Sequence, residues 1–208
     1  MAKNDAQSYW SQRYRDGHTG WNIGYPSTPI KTYVDQLANK DISILIPGAG
    51  NAYEAEYLWA KGFRNVDVLD IASLPIEKFM ERNPGFPKDQ LYTKDFFIHQ
   101  GQYDLILEQT FFCSLIPSDK NRFAYAEKMV QLLKPNGKLV GVWFDFPLTS
   151  DLQKRPFGGD KALYLKYMDP YFSVKTFERC YNSIPPRQGH ELFGIFLKKG
   201  IDRRVQTI

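Results

Sequence analysis

The stretch that most constrains this chain is Ile42-Ser43-Ile44-Leu45-Ile46-Pro47-Gly48-Ala49-Gly50-Asn51. It is a short apolar run, rich in β-branched residues, that breaks into a turn with two glycines. A helical pattern follows, with Ala52, Ala55, Leu58 and Trp59 on one face. A strand that stops at closely spaced glycines and re-emerges as a helix opens a nucleotide-binding crevice in α/β folds. Twenty residues past Gly50, a second apolar run, Val66-Asp67-Val68-Leu69-Asp70, ends in an acid. That spacing suits a carboxylate gripping a ribose.

The rest of the chain keeps the alternation. Strands are expected at 42–47, 66–70, 91–96, 103–108 and 138–144, with helices at 51–61, 74–82 and from Ser118 to Leu133. Ser73 and Ser118 read as helix caps, and Lys134-Pro135-Asn136-Gly137 as a turn. Ahead of the glycine turn lie an N-terminal helix carrying Trp10 and Tyr14 and a second helix from Ile30 to about Asn39. Residues 147–160 form a polar loop, and a helix near 160–167 precedes two strands, 172–178 and 191–197, that pair antiparallel. The expected fold is therefore α/β: a Rossmann-like, mostly parallel seven-stranded sheet with an antiparallel C-terminal strand and helices on both faces. All 208 residues fit one domain, with 1–40 a segment that covers the ligand.

Several classes drop out on composition. No apolar run approaches the roughly 20 residues of a membrane span, and the polar start Met1-Ala2-Lys3-Asn4-Asp5-Ala6-Gln7 lacks a signal-peptide core. Cys113 and Cys180 form no metal-ligand spacing, so a disulfide-free, cytoplasmic protein without a metal is expected. A net charge of +4 is too mild to imply nucleic acid, and the basic stretch 198–204 reads as a solvated end. The expected partner is a small molecule, and the expected state a monomer.

Gly48, Asp70, Asp95 and Gln109 all fall at or just past strand ends, where ligands of open α/β sheets bind. The turn is poor for NAD, because Tyr53 stands where a dinucleotide fold needs its third glycine. A Walker loop is also absent. A ligand with ribose and adenine but no phosphates fits better, and S-adenosylmethionine is that ligand. Asp70 would accept from the ribose hydroxyls and Asp95 from the adenine amino group. Trp10 and Trp21 would offer aromatic faces to the sulfonium, a cation–π attraction of roughly 0.5–2 kcal/mol. Tyr14, Arg155 and Arg187 could hold an anionic acceptor, and the Tyr14 hydroxyl could orient or deprotonate a thiol. An NAD-dependent oxidoreductase, or a binding protein that keeps the cofactor without turnover, stand as alternatives.

The chain resembles the thiopurine methyltransferase-like branch of class I S-adenosylmethionine-dependent methyltransferases, and within it the halide and thiol methyltransferases. The resemblance runs from about residue 8 to 199. It is carried by Trp10-x-x-x-Tyr14 with Gly17, Thr19, Trp21 and Gly24; by Pro47-Gly48-Ala49-Gly50; and by Leu69-Asp70-Ile71. Thr110-Phe111-Phe112-Cys113-Ser114 with Pro117, Leu132-Leu133-Lys134-Pro135-Asn136-Gly137, and Arg187-Gln188-Gly189-x-Glu191 complete it. The resemblance implies methyl transfer by in-line displacement to a small soft nucleophile: thiol, bisulfide, thiocyanate or halide. It implies a cofactor site of Trp10, Trp21, Gly48, Gly50, Asp70, Ile71, Asp95, Phe96 and Gln109, and a substrate pocket of Tyr14, Phe112, Arg155, Phe157 and Arg187. The chain departs from the pattern at Tyr14, where tryptophan is usual, at Asn51 and Ala52, which replace glycines, and at Gln109, where an aromatic is common. Arg155 has replaced part of a Gly-Pro-Pro-aromatic substrate loop.

Overall fold

The computed structural model describes residues 3–200, with side chains from Ala6 onward. The elements follow in the order α1 (Lys3–Arg15), α2 (Thr28–Val34), β1 (Ile44–Pro47), α3 (Tyr53–Ala60), β2 (Val66–Asp70), α4 (Ser73–Arg82) and β3 (Leu91–Thr93). Then come β4 (Tyr103–Gln109), α5 (Asp119–Leu132), β5 (Leu133–Phe144), α6 (Lys161–Met168), β6 (Phe172–Arg179) and β7 (Glu191–Lys198). One seven-stranded sheet results, in the order β3-β2-β1-β4-β5-β7-β6. β7 alone runs opposite to the other six strands, as the sequence leads one to expect.

The apolar run of β1 is explained by burial on both faces. Leu45 packs into a core with Tyr125, Met129 and Met168 of α5 and α6. Ile44 and Ile46 point the other way, toward Ile30, Leu58 and Phe79 of α2, α3 and α4. The strand order reverses between β1 and β4, which register Ile44 against Leu105. This is the topological switch point, and the glycine turn sits at its mouth.

Four local readings need correction. Ser73 does not cap α4; Ala72 occupies that position, and its amide donates to Asp70 Oδ1 at 2.9 Å instead. The strand expected at 91–96 ends at Thr93, because the Asp95 side chain accepts from the Phe97 amide and starts a 3₁₀ turn at Phe96–Ile98. The Lys134–Gly137 turn does not separate α5 from its strand. β5 already begins at Leu133, paired with Tyr103, and the pairing shifts before Lys138 meets Leu105. Asn136, at φ 63°, absorbs that shift as a bulge. The second helix stops at Val34, short of Asn39. Ser118 does cap α5, accepting from the Asn121 amide at 3.2 Å. The basic end is described only through Gly200, so Arg203 and Arg204 lie outside the described residues. Among the described residues, no helix is long and apolar enough to cross a membrane.

Candidate active site

At the carboxyl ends of the parallel strands lies a cavity of about 370 Å³. Its floor is Gly48 after β1, Leu69, Asp70 and Ile71 at the end of β2, and Asp95 and Phe96 after β3. α1 and the loop behind it form the roof with Tyr9, Trp10, Tyr14 and Trp21. These rings meet edge to face, Trp10 and Trp21 at 5.3 Å and Tyr14 and Trp21 at 5.6 Å between centroids. The far wall is Thr110, Phe111, Ser114, Leu115, Ile116, Asn121 and Arg155.

A smaller chamber of about 50 Å³ adjoins it, bordered by Gly48, Gly50, Asn51, Glu54, Gln109, Thr110 and Arg187. Gly48, Thr110 and Trp21 border both spaces. The glycine turn makes room for this junction. Gly48, Gly50 and Ala52 take φ of 59°, 54° and 55°, and a Cβ on Gly48 would collide with the Phe111 ring.

Asp70 ties the turn to the end of β2. Its Oδ2 accepts from the Gly50 amide at 2.8 Å and its Oδ1 from Ala72. Burial nevertheless pushes its carboxyl above the ordinary range, against the pull of those amides. Tyr14 is buried, and burial together with the nearby Asp70 charge raises its phenol well above the usual value. Burial thus favours its neutral, protonated form. Trp21 Nε1 donates to its oxygen at 3.4 Å.

The sequence-derived site divides into three groups. Trp10, Tyr14, Trp21, Gly48, Asp70, Ile71, Asp95, Phe96 and Arg155 all line the main cavity. Gly50, Gln109 and Arg187 border the side chamber instead. Arg187 donates to the Trp21 carbonyl at 3.0 Å and pairs with Glu191 at 3.4 Å. Phe112 and Phe157 line neither space; both are core residues. The chain leaves β4 through Thr110 in the left-handed region, at φ 57°, so Phe111 takes the cavity wall. Phe112 turns inward against Tyr125 and Tyr164, with centroids 4.8 and 5.2 Å away. Phe157 is pulled under the loop by its amide, which donates to the Cys113 carbonyl at 2.8 Å.

Other residues shape the site that the sequence does not assign to it. Glu108 is fully buried, and its Oε1 accepts from the Phe111 and Phe112 amides at 2.8 and 2.6 Å. It thereby clamps the strained Thr110 turn. Burial pushes its carboxyl up to about 8. Tyr9, Phe111, Ile116 and Asn121 complete the walls. Tyr9, beside Trp10 in an aromatic cluster, and Phe111, inside the 110–114 block, had a sequence signal; Ile116 and Asn121 had none.

Residues 5–201 match the family described as Thiopurine S-methyltransferase (TPMT). The chain belongs to the thiopurine S-methyltransferase family. That membership agrees with the fold and sets aside the dehydrogenase alternative; the chain is an S-adenosylmethionine-dependent methyltransferase. Among relatives of this family's chain, "Probable thiol methyltransferase 2" of Arabidopsis thaliana is 28% identical over 204 residues, covering 95% of this chain and 88% of the relative. "Thiocyanate methyltransferase 1" of Brassica oleracea is 29% identical over 195 residues, covering 91% and 84%. In three dimensions the chain is similar to the 1,6-didemethyltoxoflavin-N1-methyltransferase of Burkholderia thailandensis. That structure has a TM-score of 0.76 at 16% identity, with 96% of this chain and 92% of the other covered.

Proposed function

We propose that this chain transfers a methyl group from S-adenosylmethionine to a small soft nucleophile: a thiol, bisulfide, thiocyanate or halide. The observation that carries the cofactor half is the set of polar atoms around the glycine turn. Asp70 and Asp95 present carboxylates to one cavity. In the adjoining chamber, two buried side-chain atoms lack a partner among the described residues: Asn51 Oδ1, an acceptor, and Gln109 Nε2, a donor. An unpaired buried polar atom costs roughly 1–3 kcal/mol. An amino-acid group, with its ammonium and carboxylate, satisfies both, and Arg187 adds a second donor for the carboxylate. The residues thus fit an adenosyl group on one side of Gly48 and a methionyl end on the other.

S-adenosylmethionine, when bound, supplies a methyl on a positively charged sulfur, whose C–S electron pair stays with the departing thioether. The chain's own residues then have three tasks. Asp70 and Asp95 fix the ribose and adenine. Gly48 and Thr110, at the junction of the two spaces, set where the reacting sulfur lies. Trp10, Tyr14 and Trp21 cover the cavity as part of the 1–40 segment and keep water out. A soft nucleophile that arrives as an anion needs no protein base, which agrees with a Tyr14 phenol that holds its proton.

The names of the thiol and thiocyanate methyltransferase relatives support the acceptor class. A net charge of +4 favours a small-molecule partner over nucleic acid, and the two cysteines without metal-ligand spacing accord with a cytoplasmic protein, here taken as a monomer. The test is calorimetric binding of S-adenosylhomocysteine, followed by its release from S-adenosylmethionine across a panel of thiols, bisulfide, thiocyanate and iodide. Binding with turnover on at least one acceptor supports the reading. Binding with no turnover on any would make the chain a cofactor-binding protein.

A further inference from the structure

The main cavity is lined by both acids and cations. Its acids are Asp70 and Asp95. Lys94 also reaches the cavity, but its ammonium lies 4.6 Å from the Tyr92 ring centroid, beside Asp95 in the chain. Arg155 lines the same cavity, stacked on Tyr9 and Trp10, and Leu115 and Ile116 lie on its wall as well.

Arg155 is a fixed cation. Its guanidinium carbon sits 4.4 Å from the Tyr9 ring centroid, 5.1 Å from Phe157 and 5.7 Å from Trp10. Its Nε donates to the Ser114 carbonyl at 3.1 Å. That bond and the stacked rings leave the side chain little freedom. Among the described residues, no carboxylate pairs with it and no protein acceptor meets its Nη groups. A half-buried, pre-oriented fork of N–H donors is the form in which proteins read a planar carboxylate. The surrounding rings and aliphatic chains ask for something more than a bare anion, because a halide or thiocyanate buries little apolar surface.

We propose that the acceptor is an organic thiol that carries a carboxylate apart from its sulfur, an aromatic or aliphatic mercapto-acid, and that Arg155 reads the carboxylate. This rests on the methyl-transfer reading above and narrows it. The apolar body of the acceptor packs on Tyr9, Trp10 and Ile116, and the carboxylate takes the Nη fork. The sulfur then faces back toward Gly48.

The experiment compares meta-mercaptobenzoate, benzenethiol and thiocyanate as acceptors for the wild type, Arg155→Gln and Arg155→Lys. Affinity for S-adenosylhomocysteine and thermal melts are measured alongside. The wild type prefers mercaptobenzoate over benzenethiol in kcat/KM, and Arg155→Gln lowers that preference at least about ten-fold, chiefly through KM. Arg155→Lys retains part of it, since charge remains but the fork is lost, and it serves as the test if the glutamine variant does not fold. Turnover without any preference for mercaptobenzoate, or a preference unchanged in the variants, overturns this inference alone. S-adenosylhomocysteine binding without turnover on any acceptor overturns the methyl-transfer reading and this inference with it.

Discussion

Asp70 accepts a hydrogen bond from the Gly50 amide at 2.8 Å, so the acid that ends β2 also holds the glycine turn after β1 in shape. In the proposed site one carboxylate has two tasks, shaping the turn and meeting the ribose. Asp70→Asn places an amide NH₂ against one of the two backbone donors now facing the carboxylate. S-adenosylhomocysteine affinity should fall at least about ten-fold, with a stability loss of roughly 1–3 kcal/mol. Calorimetry and urea unfolding check the two effects separately.

The side chamber makes a sharper prediction. If Asn51 and Gln109 hold the methionyl end, Asn51→Ala and Gln109→Ala each weaken S-adenosylhomocysteine by about five- to thirty-fold. Methylthioadenosine, which lacks the amino-acid group, should bind both variants as it binds the wild type. Equal losses for the two ligands would place these side chains outside the methionyl contact.

Much of this site was legible in advance, and the limits of that legibility are physical. The glycine turn, Asp70 and Asp95 are fixed by strand ends, and strand ends follow from apolar runs that sequence displays. Phe112 and Phe157, which the resemblance implies for the pocket, lie in the core, because the segments holding them have no periodicity from which to read a facing direction. The left-handed Thr110, which turns Phe111 outward in place of Phe112, leaves no compositional trace. Gln109 was placed at the crevice by its strand-end position, but its side chain reaches the smaller chamber. Ser73 reads as a cap by residue type, but Ala72 holds that position without a side-chain cap, its own amide bound to Asp70.

Glu108 predicts a pH effect on stability. Its folded pKa is raised from 4.5 to about 8 by burial. Between those values the folded chain keeps a proton that the unfolded chain has lost, so stability falls as pH rises through the window and levels off above it. Glu108→Gln keeps a carbonyl for the Phe111 and Phe112 amides and removes the titration. Between about pH 5 and about pH 8, the wild type should lose on the order of 3 kcal/mol more than the variant. Parallel losses in urea unfolding would show that Glu108 titrates near its ordinary value.

Trp10 bears on the covering role of α1. Trp10→Ala should weaken S-adenosylmethionine by roughly two- to thirty-fold, the range of one cation–π contact. The loss should be smaller for S-adenosylhomocysteine, whose sulfur is uncharged. The melting temperature should move by no more than about 3 °C, because Trp10 is only half-buried. Equal losses for both ligands would mean that Trp10 covers the adenosyl group without sensing the sulfonium.

The most direct test follows the methyl group itself. The protein is incubated with S-adenosylmethionine carrying an isotope-labelled methyl and with a mixed panel of thiols and inorganic anions, and the products are identified by mass spectrometry. The account predicts label on sulfur, or on halide, in equal amount to the S-adenosylhomocysteine released. Label found only on nitrogen, oxygen or carbon of added acceptors, with none on any soft nucleophile, would contradict it.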